Sequence, residues 1–185
     1  MNIYSKKSLI KAVNEGVKIK YLFFWGHQKN GETVSKSCLS QWYHSPFEKE
    51  GNIFLTAEHY MMYGKAKLFG DTNAMKKVLS ASNPGEAKAI GRAVNGFDNA
   101  MWDEHKFDLV VNANAAKFSS DEAMKSFLLN TQSRVLVEAS PVDRIWGIGL
   151  AEDDDVASIP NKWKGENLLG FALMKVREQL QQSIT

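Results

Sequence analysis

The chain has 185 residues, of which 44% are hydrophobic and 24% charged, and its formal net charge at pH 7 is +2. These values are typical of one globular domain with a substantial core, and the near-neutral balance argues against a strong, non-specific nucleic-acid binder. The single cysteine, Cys38, excludes an intramolecular disulfide and is typical of a reducing compartment. The sequence contains neither a membrane-length apolar run nor a signal-peptide core, so we expect a cytoplasmic protein without membrane contact.

Helical patterns dominate the chain from its beginning. Residues 1–18 are polar and basic, and Ser5 is a suitable N-cap for a short helix there. We interpret 1–18 as a basic N-terminal appendage and 19–185 as the domain. The run Ile19–Trp25 is β-branched and aromatic, which predicts a strand. Further strands are predicted at 53–55 and 134–138, and further helices at 55–69, 71–79, 84–94, 99–118, 119–130 and 167–182. This order indicates a single compact, mainly helical α+β domain with a few short strands.

The helix predicted at 55–69 carries charges on its apolar face. Glu58 and Lys65 are seven residues apart, so both fall on the side of Met62 and Phe69. They are separated by roughly 10 Å along the axis, too far for a direct ion pair. Because charges on a core-facing stripe are costly to bury, this face is a candidate lining for a wet cleft. The alternative is that Glu58 only complements the helix dipole and Lys65 extends to solvent, and the sequence leaves both open.

A second candidate region is the loop at 139–149. Asp143 and Trp146 flank a turn that contains Gly147 and Gly149, where the backbone can approach a ligand closely. Asp143 is equally suited to cap the turn through its side chain. Trp102, near the start of a predicted helix, is either a core side chain or a stacking wall for a flat ligand.

The absence of several motifs from the sequence reduces the number of possible reaction types. The four histidines lack metal-ligand spacing, and no glycine-rich nucleotide loop or nucleophile elbow occurs. We therefore expect no metal and no cofactor. The remaining groups are the carboxylates Glu58 and Asp143, the amine of Lys65, and tryptophans. This set suits acid–base or Schiff-base chemistry on a sugar beside a flat base.

These residues resemble a known family. The segment from Glu58 to Lys65, Glu-His-Tyr-Met-Met-Tyr-Gly-Lys, resembles the E-H-Y-x-x-x-x-K helix of the NADAR superfamily of YbiA-like N-glycosidases. Other segments similar to the family follow in its order between about residue 20 and residue 182. They are Phe23-Phe24-Trp25-Gly26, Leu39-Ser40-Gln41-Trp42, Ala89-Ile90-Gly91-Arg92, Trp102, Ala116-Lys117-Phe118, Asp143-Arg144-Ile145-Trp146-Gly147 and Gly165-Glu166-Asn167-Leu168-Leu169-Gly170.

The resemblance implies an α+β N-glycosidase domain over 19–185 that hydrolyses the bond between ribose C1 and a nitrogen base without a metal. It implies catalytic roles for Glu58, Lys65 and Asp143. It implies substrate contacts by Trp25, Gly26, Tyr60, Arg92, Trp102, Trp146 and Gly147.

The resemblance implies two substrate classes. One is ADP-ribose attached to guanine in nucleic acid, whose removal reverses a toxin's modification, and the other is the phosphoribosylamino-pyrimidine intermediates of riboflavin synthesis. The sequence favours the first, since a basic N-terminal segment suits weak contact with nucleic-acid phosphates; a solvated helix face is the alternative for the same lysines.

The loop at 26–38 departs from the family pattern and is expected to shape the base side of the pocket. The alternative class is a non-catalytic module that binds ADP-ribose. The combination of two carboxylates and an amine favours an enzyme over such a module. The lysines of the basic segment are Lys6, Lys7, Lys11, Lys18 and Lys20.

Overall fold

The computed structural model describes residues 3–29, 31 and 33–183. Asn30 and Glu32, in the loop at 26–38, lie outside the described residues, and the role expected for that loop stays a prediction. Within the described part there are seven α-helices and four short strands, which confirms the mainly helical α+β class. The helices are α1 (Lys6–Asn14), α2 (Ala57–Leu68), α3 (Thr72–Ser80), α4 (Pro84–Arg92), α5 (Asn99–Ser119), α6 (Glu122–Asn130) and α7 (Leu168–Gln182), and the strands are β1 (Tyr21–Phe24), β2 (Phe47–Lys49), β3 (Asn52–Phe54) and β4 (Val135–Glu138).

The chain divides into two compact units. The terminal unit comprises the described residues of Met1–Ser40 and Ala123–Thr185, and the central unit comprises Gln41–Glu122. The boundary predicted between residues 18 and 19 falls within the terminal unit and stays a prediction. No helix in the described residues is both long and apolar enough to cross a membrane.

Side-chain caps begin helices α2 and α4. Thr56 is extended, and its Oγ1 accepts a hydrogen bond from the backbone N of His59 at 3.3 Å. Asn83 caps α4 in the same way, with Pro84 at the first helical position and the Asn83 side chain accepting from Glu86 N at 2.9 Å. Because these contacts span three residues, they could be predicted without knowledge of the tertiary structure.

In the central unit, α2 is the helix around which the others pack. It contacts α3, α4 and α5, and buried residues occupy most of its circumference rather than the single stripe that we predicted. Gly91 allows α4 to approach, because a Cβ there would lie 2.0 Å from the Met62 sulfur. Glu58 is therefore in a helix that is enclosed on several sides.

A hairpin packs against α2 in the same unit. Strands β2 and β3 pair antiparallel, and Glu50 and Gly51 at the turn have φ of 54° and 72°. The sequence predicts β3, but not β2, which is too short for a period-2 pattern to be visible. Tyr60 of α2 packs edge-on against Phe54, with ring centroids 5.1 Å apart, and its hydroxyl donates to Glu50 Oε1 at 3.1 Å.

The terminal unit is built on a parallel strand pair. β1 and β4 pair with Phe24 opposite Glu138, and α7 packs on β4. The apolar residues that recur at three- and four-residue spacing along α7 are all buried, namely Leu169, Leu173, Val176 and Leu180. Gly170 brings α7 against the strand, because a Cβ at this position would lie 2.0 Å from Leu136 O.

Asn167 ties α7 to the other edge of β4. Its Oδ1 accepts from Glu138 N and its Nδ2 donates to Leu136 O, both at 2.9 Å. The side chain is completely buried, and the backbone is left-handed at φ 55°. This conformation is one that asparagine tolerates better than most residues, and the amide replaces a neighbouring strand.

The Asn167 contact leads to a stability prediction. Asn167→Gly retains the left-handed backbone but leaves Glu138 N and Leu136 O without these partners. We expect it to lower the free energy of unfolding by roughly 2–4 kcal/mol, measured by urea denaturation. The matched control is Gln132→Gly, at another left-handed position (φ 53°) where the side chain is exposed. A loss of stability that is equal in the two variants would contradict this assignment.

Candidate active site

Lys65 lies among aromatic side chains of the central unit. Its Nζ is 4.1 Å from the ring centroid of Phe97 and 5.3 Å from that of Trp102. Phe97 follows Gly96, whose φ of 72° turns the chain between α4 and α5. Trp102 is half-buried in the first turn of α5. The structure thus brings Lys65 and Trp102 together, and it adds Phe97, to which the sequence assigned no role.

Two effects act on the Lys65 amine. Its partial burial lowers its pKa below the ordinary lysine value, because desolvation disfavours the charged form. The faces of aromatic rings attract an ammonium group and oppose this shift. A neutral amine is the form that can attack a carbonyl carbon.

Glu58 lies two turns before Lys65 on α2. Its side chain is buried, at 5% exposure, and its backbone N donates to Gln41 O at 3.1 Å. A carboxylate in the first turn is favoured by the helix dipole. The seven-residue spacing separates the two groups by roughly 10 Å along the helix axis, so each can contact a different part of a ligand.

In the terminal unit, the other predicted residues follow the carboxyl ends of β1 and β4. Trp25 and Gly26 come directly after β1, and the loop at 139–149 comes directly after β4. Because the strands are parallel, both segments emerge at the same end, and Ala139 N donates to Phe24 O at 2.9 Å. The Trp25 side chain is 59% exposed and is therefore accessible to a ligand.

Asp143 acts as a cap within its loop. Its Oδ1 accepts from the backbone N of Ile145 at 2.8 Å and of Trp146 at 2.7 Å. Gly147 is enclosed, since a Cβ there would lie 2.9 Å from Glu138 O. The turn-capping alternative for Asp143 is therefore confirmed as a structural role. It does not decide whether the carboxylate charge also serves catalysis, which stays a prediction.

Two residues predicted to contact the substrate, Arg92 and Tyr60, lie in surroundings different from those of Lys65 and Asp143. Arg92 is exposed in the last turn of α4. Tyr60 is buried in the aromatic cluster of the hairpin, and this burial, together with Glu50, raises its pKa. The substrate roles of both residues stay predictions.

Lys117 stands out as a residue to which the sequence analysis assigned no role. Its side chain is completely buried in α5, with Nζ 5.5 Å from the ring centroid of Tyr43 and 5.2 Å from that of Phe118. In the sequence, Lys117 lies next to Phe118 in the helix predicted at 99–118, within the segment Ala116-Lys117-Phe118 that resembles the family. A fully buried lysine is rare, which makes Lys117 a further candidate for mutation. Across the described residues, no group of three or more His, Cys, Asp or Glu side chains is arranged to hold a metal ion.

The chain is similar to several known N-glycosidases. The chain is 44% identical over 168 residues to an N-glycosidase of Acanthamoeba polyphaga mimivirus, covering 88% of the chain and 98% of that protein. It is 30% identical over 135 residues to N-glycosidase YbiA of Escherichia coli strain K12, covering 73% and 76%. The NMR structure of the E. coli protein YbiA matches with a TM-score of 0.72 and 25% identity, covering 91% of this chain and 89% of that one. The chain is also 33% identical over 144 residues to a chloroplastic riboflavin biosynthesis protein, PYRR, of Zea mays, covering 72% of the chain but only 21% of that protein.

The fold and these relatives define an enzyme of the N-glycosidase class. The family model for the NADAR domain matches residues 23–181, so the chain belongs to the NADAR family.

The double role available to Asp143 can be separated by mutation. Asp143→Asn retains an oxygen that can accept from Ile145 N and Trp146 N, so we expect the free energy of unfolding to change by less than about 1 kcal/mol. If the charge acts on the substrate, turnover should fall by roughly 100-fold or more. Asp143→Ala is the control that removes both the cap and the charge. Full activity of a folded Asn variant would limit Asp143 to its role in the loop.

Proposed function

We propose that the enzyme removes ADP-ribose from modified guanine in nucleic acid by hydrolysing the bond between ribose C1 and a guanine nitrogen. The observation that supports this most is the Lys65 amine, whose pKa is lowered by burial and which lies beside Phe97 and Trp102. An aromatic wall next to an amine can bind a flat base and act on the attached sugar.

The reaction exchanges one bond to C1 for another. The C1–N bond breaks, a water oxygen bonds to C1, and the departing nitrogen takes up a proton. Positive charge develops on the sugar as the base leaves, so a carboxylate near C1 stabilises the transition state. We assign the two carboxylate roles, charge stabilisation and proton donation, to Glu58 and Asp143 without ordering them.

Lys65 offers a covalent route to the same products. When the ribose ring opens, the bond between C1 and the ring oxygen breaks, the oxygen takes up a proton, and C1 becomes doubly bonded to the base nitrogen. The neutral amine of Lys65 then adds to C1, the base leaves with a proton as its bond to C1 breaks, and a Schiff base between C1 and Lys65 remains. Water hydrolyses this Schiff base and releases the sugar and the free amine. In the alternative route Lys65 remains protonated and holds a phosphate or a sugar hydroxyl. Trp102 and Trp146 are assigned to stacking on the base or to excluding water from the reacting bond.

The nucleic-acid partner is proposed on the basis of the N-terminal lysines. Lys6 donates to Trp163 O at 2.8 Å, and Leu9 and Ala12 of α1 are buried. Deleting residues 1–18 would therefore remove part of a core, and it is a poor test of nucleic-acid contact. Lys18 and Lys20 are exposed and are the residues to alter instead.

A second candidate function has one observation in its favour. The maize relative is named as a riboflavin biosynthesis protein, so the phosphoribosylamino-pyrimidine intermediates of that pathway are the alternative substrates. They contain the same kind of bond between a ribose carbon and a nitrogen. A non-catalytic ADP-ribose reader would bind the first substrate without releasing a product.

Product analysis distinguishes these functions. An oligonucleotide with ADP-ribosylated guanine and a phosphoribosylamino-pyrimidine should each be incubated with the enzyme, with chromatography of the released base and sugar. We expect ADP-ribose from the first and at least tenfold slower release from the second, a difference of about 1.4 kcal/mol or more in transition-state free energy. Glu58→Gln is the control and should lose turnover while its thermal midpoint changes little. Faster product release from the phosphoribosylamino-pyrimidine would make the riboflavin intermediates the favoured substrates. Binding of the modified oligonucleotide without product release would indicate a non-catalytic ADP-ribose-binding module.

Lys65 can be tested by trapping. On the covalent route, borohydride during turnover should fix a sugar adduct on Lys65, and the yield should rise with pH and level off below the ordinary lysine pKa of about 10.4. The sign follows because the neutral amine accumulates as pH rises through a lowered pKa. Lys65→Arg should be inactive, since a guanidinium stays protonated. Retained kcat with a raised KM in this variant would instead indicate an anchoring role, and an adduct on another lysine would contradict both assignments.

A further inference from the structure

A groove of about 520 Å³ lies in the terminal unit, and none of the residues assigned to catalysis or to contacts with the base and sugar lines it. Its lining does include Lys18 and Lys20, which are proposed above to contact nucleic acid. It is formed by the chain segments that precede β1 and β4, together with α7 and the residues before α1. The lining residues used below are Tyr4, Lys18, Lys20, Gln132, Arg177 and Glu178.

The groove and the loop of Asp143 lie at opposite ends of the strand pair. Lys18 and Lys20 come just before β1, and Gln132 comes just before β4. Val135 N donates to Lys20 O at 2.9 Å, which holds the two amino ends side by side. Trp25 and Asp143 follow the carboxyl ends, and four-residue strands separate the two ends by roughly 10 Å. The groove is therefore separate from Trp25 and from the loop of Asp143.

Arg177 is the fixed element of this groove. Its side chain is 6% exposed, and its Nη1 donates to Thr131 Oγ1 at 2.7 Å and to Arg134 O at 3.0 Å. These bonds orient the guanidinium. Its Nε and Nη2 make no hydrogen bond to any residue in the described part of the chain. Neither nitrogen is among the fully buried side-chain atoms without a partner in the described residues, so both retain solvent access and are available to a ligand.

The charge of the groove favours an anion. Three of its lining side chains, Lys18, Lys20 and Arg177, are cationic, and Glu178 is the one carboxylate among the described lining residues. The Glu178 carboxylate accepts a hydrogen bond from the Tyr4 hydroxyl, which engages one of its oxygens.

We infer that this groove binds a phosphate group. A guanidinium presents several N–H donors in one plane and matches the oxygens of a phosphate, and two flexible ammonium groups can neutralise the remaining charge. The volume is within the range of small-ligand sites, so the phosphate can belong to a free ion or to a nucleic-acid strand. This inference does not depend on N-glycoside hydrolysis, because both probes can be unmodified.

The test uses the full chain and two probes, inorganic phosphate and a single-stranded 12-nucleotide DNA without ADP-ribose. We expect titration to shift the backbone amide resonances of residues 18–20 and 131–134 in NMR spectra. Lys18→Gln combined with Lys20→Gln should weaken the binding roughly fivefold or more. The matched control is Lys76→Gln combined with Lys77→Gln, which removes two exposed charges from α3 in the central unit and should leave the affinity unchanged.

The two probes identify the source of the phosphate. If DNA binds, the slope of log affinity against log salt should become shallower by about 1.4 in the Lys18/Lys20 variant, as expected for two lost single-strand phosphate contacts. Shifts with inorganic phosphate alone assign a free phosphate ligand. No shifts at these residues with either probe, or an equal loss of affinity in the test and control variants, would overturn the inference.

Discussion

The hydrogen bonds of Asn167 to β4, at the edge not paired with β1, join α7 to the strand pair of the terminal unit. β4 has β1 on one edge, and the Asn167 amide supplies a donor and an acceptor to the other. Asn167 N also donates to Gly147 O at 3.1 Å, so the same residue restrains the loop that carries Asp143. The close approach of Gly170 to Leu136 then sets α7 against the strand. The position of the candidate catalytic loop thus depends on the packing of α7.

In the central unit, the corresponding constraint is the enclosure of α2. Charged residues are rarely buried in a helix of this kind, yet Glu58 is buried and Lys65 half-buried. Departures from local sequence rules are expected at functional sites. For Lys65 the aromatic rings of Phe97 and Trp102 compensate in part for lost hydration. The result is an amine whose pKa is lowered but which remains partly accessible, and this combination suits covalent chemistry with an opened sugar.

The parallel pair β1 and β4 separates two kinds of surface in the terminal unit. Its carboxyl ends lead to Trp25 and to the loop of Asp143, where apolar and aromatic side chains are exposed. Its amino ends lead to the groove of Arg177 and the two lysines. The two surfaces thus lie at opposite ends of a strand pair of four residues.

Local patterns in the sequence determined the helices, the caps at Thr56 and Asn83, and the strands β1 and β4 of the terminal unit. They also identified Glu58 and Lys65 as charges in an apolar setting. These features depend on residues within one or two helical turns of each other. Only the tertiary structure decided that β1 pairs with β4, that Phe97 lies against Lys65, and that Arg177 donates a hydrogen bond to Thr131. The reason is that these contacts join residues far apart in the chain, and their energies depend on burial that no local pattern records.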